Sequence, residues 1–390
     1  MAEIPISLYI HMPWCKRKCP YCDFNSYAID QVPEDKYVDL LIKDLTNDLT
    51  FSHSRDNGDP GNHDQLLDSR LRGNDDKSAI HSIYIGGGTP TLLSANNISK
   101  LLPKKSNCEI TIEANPGTID IAKLKALKNI GINRLSIGVQ SLQDDKLQAL
   151  GRIHNSRDAV FAIEMAHETG FTNINVDLMY GLPEQKISDA LYDLEQVLKL
   201  QPTHLSWYQL TIEEGTPFYQ HRPNLPDDDL LWQMQQQGQQ LIADYGLQQY
   251  EVSAYSKPGY ACQHNLNYWQ FGDYLGIGAG AHGKITDKNI FRVSKHADPD
   301  VYIQAENFIA DQEQLTKQQI IADFMLNALR LYQPITLDLF TERTGLPISS
   351  IEQQLNQAQT QGFLSWNDKY IETTDLGKRF LNDMLLRVSL

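Results

Sequence analysis

The chain has 390 residues, 41% of them hydrophobic, enough for one large domain with a smaller companion. Its formal net charge is −15, and no basic cluster of the kind nucleic acid requires stands out. The start, MAEIPISLYIHM, lacks the pattern of a secretory signal, no apolar stretch reaches membrane-spanning length, and the cysteines are few and clustered, so a reducing, cytoplasmic setting is expected.

The first element, Leu8-Tyr9-Ile10, is strand-like and runs into Cys15, Cys19 and Cys22, a C-x₃-C-x₂-C spacing. Three thiolates on one loop suit three irons of a 4Fe–4S cube, with the fourth iron open. Structural zinc is the alternative, but it prefers four ligands in two pairs and no second C-x₂-C follows. Lys16, Arg17 and Lys18 lie between the cysteines, where positive charge favours thiolate.

Residues 33–49 carry apolar side chains at helical spacing. Residues 52–78 are rich in Asp, Asn, Gly and Ser and read as a disordered insertion. Strand patterns then alternate with helix patterns: strands at 80–85, 109–114, 134–139, 173–179 and 204–210, with helices between them and a long one at 227–245. With the first strand this makes six β-α units, hence a parallel sheet, either doubly wound or curved into a partial barrel. Chemistry-bearing residues gather just after strand ends, where such sheets build sites. They are the cysteines, Gly86-Gly87-Gly88, Glu113, Gln140 and Asp177. Glycines let backbone amides approach a ligand, and Glu113, Asp177 and Arg152 could hold a small zwitterion beside the cluster.

Beyond 249 the texture changes. A strand-like run at 249–255 precedes His264-Asn265-Leu266-Asn267-Tyr268-Trp269 and a glycine-rich run at 276–283. From 315 onward, three helix patterns, a short hairpin and a last helix resemble a winged-helix module without a basic cluster. The expected division is a core at 1–245, a connecting segment at 246–314 and a mostly helical domain at 315–390.

The cysteine loop, Gly-Gly-Gly-Thr-Pro at 86–90 and Glu-Ala-Asn-Pro at 113–116 resemble the radical S-adenosylmethionine superfamily. The resemblance implies a partial parallel (β/α)₆ TIM-like barrel. It also implies that Tyr9, Gly87 and Glu113 contact cluster-bound S-adenosylmethionine, with Gly88, Thr89, Gln140, Arg152 and Asp177 in the rest of the pocket. Gly-Val-Gln-Ser at 138–141, Gly-Arg-Ile-His at 151–154 and Asp-Leu-Met-Tyr-Gly-Leu-Pro at 177–183 are similar to the oxygen-independent coproporphyrinogen III dehydrogenase group. That enzyme carries a fourth cysteine where this chain has Phe24.

Phe24, together with His-Asn-x-x-Tyr-Trp at 264–269, resembles the HemW heme chaperone branch, which binds heme and passes it to acceptors such as respiratory enzymes. The resemblance implies a heme-acceptor partner and an electron donor for the cluster, with any loose membrane association left open. His264 is the first candidate for heme ligand, since imidazole is a common axial ligand. Tyr268 and Trp269 could pack on the porphyrin, and Cys262 is a second contact that could allow covalent attachment. His282 and His11 are weaker candidates. Oxidative decarboxylation of coproporphyrinogen III is the competing expectation, and a DNA-binding regulator a third that the acidic charge opposes.

Overall fold

The computed structural model describes residues 4–53, 80–103 and 107–388. The expected insertion at 52–78 lies almost wholly outside them. Six parallel strands stand side by side in chain order: β1 (Ile6–Met12), β2 (Ser82–Gly87), β3 (Glu109–Ala114), β4 (Arg134–Gln140), β5 (Asn173–Tyr180) and β6 (His204–Gln209). Their side chains alternate between faces, as pleating requires. Leu8, Ile10, Ile83, Ile85, Ile110, Ile112, Leu135, Ile137, Ile174, Val176 and Leu205 join one core with Leu124, Ala159, Ile163, Leu194 and Val197 of the crossing helices. The opposite face carries Tyr84, Glu113, Ser136, Asp177, Ser206 and Tyr208, which surround one cavity. A parallel sheet covered by helices on both faces would be apolar throughout. Here the polar face curves inward, which is the expected partial barrel.

The segment at 246–314 adds six more strands to this sheet. On the β6 side lie β7 (Gln248–Gln249) and β8 (Ala254–Ser256). On the β1 side, β9 (Asp273–Ile277) is a seventh parallel strand, followed by antiparallel β10 (His282–Thr286), β11 (Ile290–Lys295) and β12 (Ile309–Gln314). Part of β9 lies in the glycine-rich run because β10 crosses it closely: a Cβ on Gly276 would stand 1.9 Å from the His282 carbonyl oxygen. Helix α2 (Gln263–Trp269) leads into β9.

Helix α1 (Glu34–His53) is locked to this added sheet by a buried charge cluster. Lys295 Nζ lies 2.6 Å from Asp44 and 2.7 Å from Asp48, and Asp44 also accepts from the Tyr302 hydroxyl at 2.7 Å and the Gly278 N–H at 3.2 Å. The C-terminal unit has its own core of Phe324, Phe340, Leu355 and Ile371, built from α3 (Lys317–Ala328), two further helices and a three-stranded antiparallel sheet. It meets the barrel through a bridge between Glu251 and Leu331 and an Arg292–Asp323 ion pair at 2.8 Å.

Removing one partner of a buried ion cluster strands the others at a cost of about 3–5 kcal/mol. Lys295→Ala should therefore lower the unfolding free energy by about that amount, measured by urea denaturation, whereas Lys199→Ala, which breaks an exposed pair with Glu195, should leave the denaturation midpoint nearly unchanged.

Candidate functional site

A cavity of about 700 Å³ fills the concave face and opens at the carboxyl ends of the strands. All three clustered cysteines line it, and each thiol meets a donor from a different part of the chain. The Thr89 hydroxyl points at Cys15 Sγ (3.4 Å), Arg152 Nη1 at Cys19 Sγ (3.7 Å), and the Ser26 hydroxyl lies 3.8 Å from Cys22 Sγ. Burial pushes the Cys15 and Cys22 thiols up. Bonding to iron would deprotonate them outright. The three thiols line one cavity, and three thiolates on one loop suit three corners of a cube.

The glycine turn after β2 packs under this loop. The Gly88 N–H donates to the Met12 carbonyl at 2.6 Å and the Thr89 N–H to the Trp14 carbonyl at 2.8 Å. A Cβ on Gly88 would stand 2.5 Å from the Trp14 carbonyl oxygen. Gly87 has φ +110°, which favours glycine, and this turns its N–H onto Glu113 Oε2 at 3.1 Å. The other oxygen of Glu113 accepts from the Tyr84 hydroxyl at 3.0 Å. Burial, and then the nearby Asp177, push Glu113 up to about 7. Asp177 is itself raised by burial, and is held by Asn175 Nδ2 at 2.8 Å.

At the end of β4 the register with β5 slips between Gly138 and Gln140, and Gln140 adopts φ +72°. This bulge brings Gln140 to the cavity, where its side-chain oxygen accepts from the Tyr208 hydroxyl at 2.9 Å. Arg152 is anchored by donation to the Gly138 carbonyl at 2.8 Å. Gly87, Gly88, Thr89, Glu113, Gln140, Arg152 and Asp177 thus line one cavity with the cysteines. Tyr9 is not among the lining residues. It packs beside Tyr84, with its hydroxyl 3.0 Å from His11 Nδ1.

The heme candidates are placed differently. Helix α2 lies against the amino ends of the strands and forms a floor. His264 Nδ1 is 3.1 Å from the Ser82 hydroxyl, Asn267 donates to Ser7 Oγ at 3.0 Å, and Glu109 at the start of β3 accepts from the Gln263 N–H at 2.9 Å. Burial, with Arg134 nearby, pushes His264 down to about 3, so its imidazole is neutral. Cys262 is fully buried and donates to Glu109 at 3.5 Å; burial pushes it up to about 12. Cys262 thus faces Glu109 and is not among the residues that line the cavity. Tyr268 packs against Trp269 and Tyr274, so of these four only Trp269 lines the cavity. His11 is held on the Asn25 carbonyl, and His282 is exposed on β10.

Several lining residues were not anticipated: Arg134, Ser136, Asn175, Ser206, Asn265 and Arg330. Four of them lie on strands, and their signal was the polar residue at every second position of RLSIGVQ, NINVDLMY and HLSWYQ. Arg330 carries no such signal, because the C-terminal unit brings it in.

Residues 9–197 match the model of the radical SAM superfamily, and residues 315–380 match the HemN C-terminal domain. The chain is 44% identical over 391 residues to the heme chaperone HemW of Escherichia coli and equally to that of Haemophilus influenzae, covering 98% of this chain and 97% of each relative. Its fold resembles that of coproporphyrinogen III oxidase (HemN) from Escherichia coli, a radical SAM enzyme, with a TM-score of 0.79 at 22% identity, over 99% of this chain and 90% of that one. The three-thiol loop, the inward-facing polar sheet and full-length identity at this level make the chain a member of the radical SAM superfamily and, within it, of the HemW family.

Proposed function

We propose that this protein binds heme as cargo and transfers it to an acceptor protein, on a scaffold with a resident 4Fe–4S cluster and S-adenosylmethionine. The observation that carries this reading is the full-length identity to heme chaperones, combined with Phe24 at the cavity rim, 59% exposed, where the dehydrogenase group has a fourth cysteine. Cys15, Cys19 and Cys22 would hold three irons. Glu113 and the Gly87–Gly88 turn would receive the methionine moiety. Thr89, Gln140, Arg152 and Asp177 would line the remainder, and Tyr9 would support Tyr84 from behind. Together the two groups supply one-electron reductive chemistry when an electron donor is present.

His264 is our ligand candidate for heme iron on the resemblance of its motif; burial keeps its imidazole neutral, the form that binds metal, and it stands on the helix whose Asn265 and Trp269 line the cavity. Trp269, on the same helix, lines the cavity with the Arg330 guanidinium over its ring. For the acceptor we propose a respiratory enzyme, the class that the family resemblance implies. Among the described residues no helix is long and apolar enough to cross a membrane, and a cytoplasmic setting with loose membrane contact suits such a hand-off. A second reading, decarboxylation of coproporphyrinogen III, is favoured by one observation: the whole expected cofactor set apart from Tyr9 surrounds a single cavity.

An anaerobic titration of the cluster-reconstituted protein should show stoichiometric heme uptake, weakened at least about tenfold by His264→Ala. With reductant and coproporphyrinogen III it should form no protoporphyrinogen IX; enzyme-like turnover would sink the chaperone reading.

The ammonium of S-adenosylmethionine pairs with an ionised carboxylate. With Glu113 at about 7, affinity should fall about tenfold from pH 8 to pH 6, and Glu113→Gln should weaken binding and flatten that dependence, as read by calorimetric titration. The stability of the ligand-free protein runs the other way. Glu113 keeps its proton to a higher pH folded than unfolded, so its contribution is lost as pH rises from about 4.5 through 7.

A further inference from the structure

The cavity reaches well below the cofactor residues. Gln140 closes β4 and Arg134 opens it six residues earlier, so at about 3.3 Å per residue the two stand about 20 Å apart on the wall of one cavity. This lower chamber is faced by Arg134, Asn175 and Ser206 from the strands, Asn265 and Trp269 from α2, and Arg330 from the C-terminal unit.

Three N–H donors on its walls have no acceptor: Arg134 Nε, Arg330 Nε and Trp269 Nε1. Arg134 is 2% exposed, and its Nε lies 3.9 Å from Glu109 Oε2, beyond hydrogen-bond reach. The acids above it in the lumen, Glu113 and Asp177, are both pushed toward their protonated forms by burial. The Arg330 guanidinium carbon lies 4.5 Å from the Trp269 ring centroid, and its Nη2 donates to Glu251 Oε2 at 3.4 Å, which leaves Nε free. Two guanidinium groups in a secluded chamber, each with an unsatisfied donor, match an anionic ligand with planar acceptors. A carboxylate meets that description and can be held by two parallel bonds from one guanidinium.

We propose that the lower chamber is a carboxylate subsite. Resting on the heme reading, the groups it takes are the two propionates of heme, one toward Arg134 and one toward Arg330 and Trp269. The C-terminal unit is then part of the binding site, because Arg330 follows directly after α3 and completes the chamber wall.

The test is a titration of the cluster-reconstituted full chain with ferric heme and with heme dimethyl ester, whose carboxylates are blocked, followed by absorbance. The parent should bind heme at least about tenfold more tightly than the ester. Arg330→Gln should lower heme affinity by about the same factor, narrow the gap to the ester and leave S-adenosylmethionine affinity unchanged. Arg134→Lys, which keeps the buried charge but loses the fork, should act in the same direction. Equal binding of heme and ester by the parent, or parent-like heme uptake by Arg330→Gln, overturns the subsite alone. Loss of S-adenosylmethionine binding in Arg330→Gln also overturns it, assigning the chamber to that cofactor. A parent that takes up no heme overturns the functional reading, and the proposed occupant with it.

Discussion

The structure depends on the strict alternation of side chains along six parallel strands. One face of each strand is aliphatic and joins the helix layer; the other carries Tyr, Ser, Asn, Asp, Glu and Arg. Buried polar groups are tolerated only when they meet partners. The polar face satisfies itself between neighbouring strands, through Tyr84 to Glu113 and His204 to Asn175, and, with the sheet curved, over an intervening strand, through Tyr208 to Gln140. A flat sheet would hold Tyr208 and Gln140, two strands apart, further from each other. The cavity therefore follows from the strand sequences and was not added to a finished fold.

Charge inside that lumen is arranged by height. At the carboxyl ends, thiols, a glycine turn and a carboxylate near its titration point stand together, an environment suited to a cluster and a zwitterion. At the amino ends, the floor is made by α2, whose Asn267 and His264 side chains meet Ser7 and Ser82 and whose Gln263 N–H donates to Glu109. Between the two lie Arg134 and the reach of Arg330. Low dielectric strengthens each of these interactions and makes each unpartnered donor costly, so unsatisfied groups here point to a ligand more strongly than they would at a surface.

Much of the site was legible before any coordinates. Cys15, Cys19 and Cys22 announce themselves by spacing, and Gly87, Glu113 and Gln140 by their place near strand ends, whereas Asp177 lies inside β5, three residues before its end. The His-Asn-x-x-Tyr-Trp motif was visible too, but its location was not. Nothing local in that motif says that its helix closes the amino end of the barrel, where Cys262 is sealed against Glu109 and only part of the motif faces the cavity. The seventh parallel strand was equally hidden, because five fully buried residues with a glycine among them carry neither period nor length.

What the sequence determined by itself was local: the spacing of three thiols on one loop, the helix and strand periods, and the glycines that only a tight turn explains. Tertiary structure decided what depends on contact between distant segments. It joined residues 273–314 to the first strand, fixed Lys295 onto Asp44 and Asp48, and set Arg330 against Trp269. The physical reason is that spacing encodes which face of an element a residue occupies, whereas the partner across that face is chosen only when the chain closes.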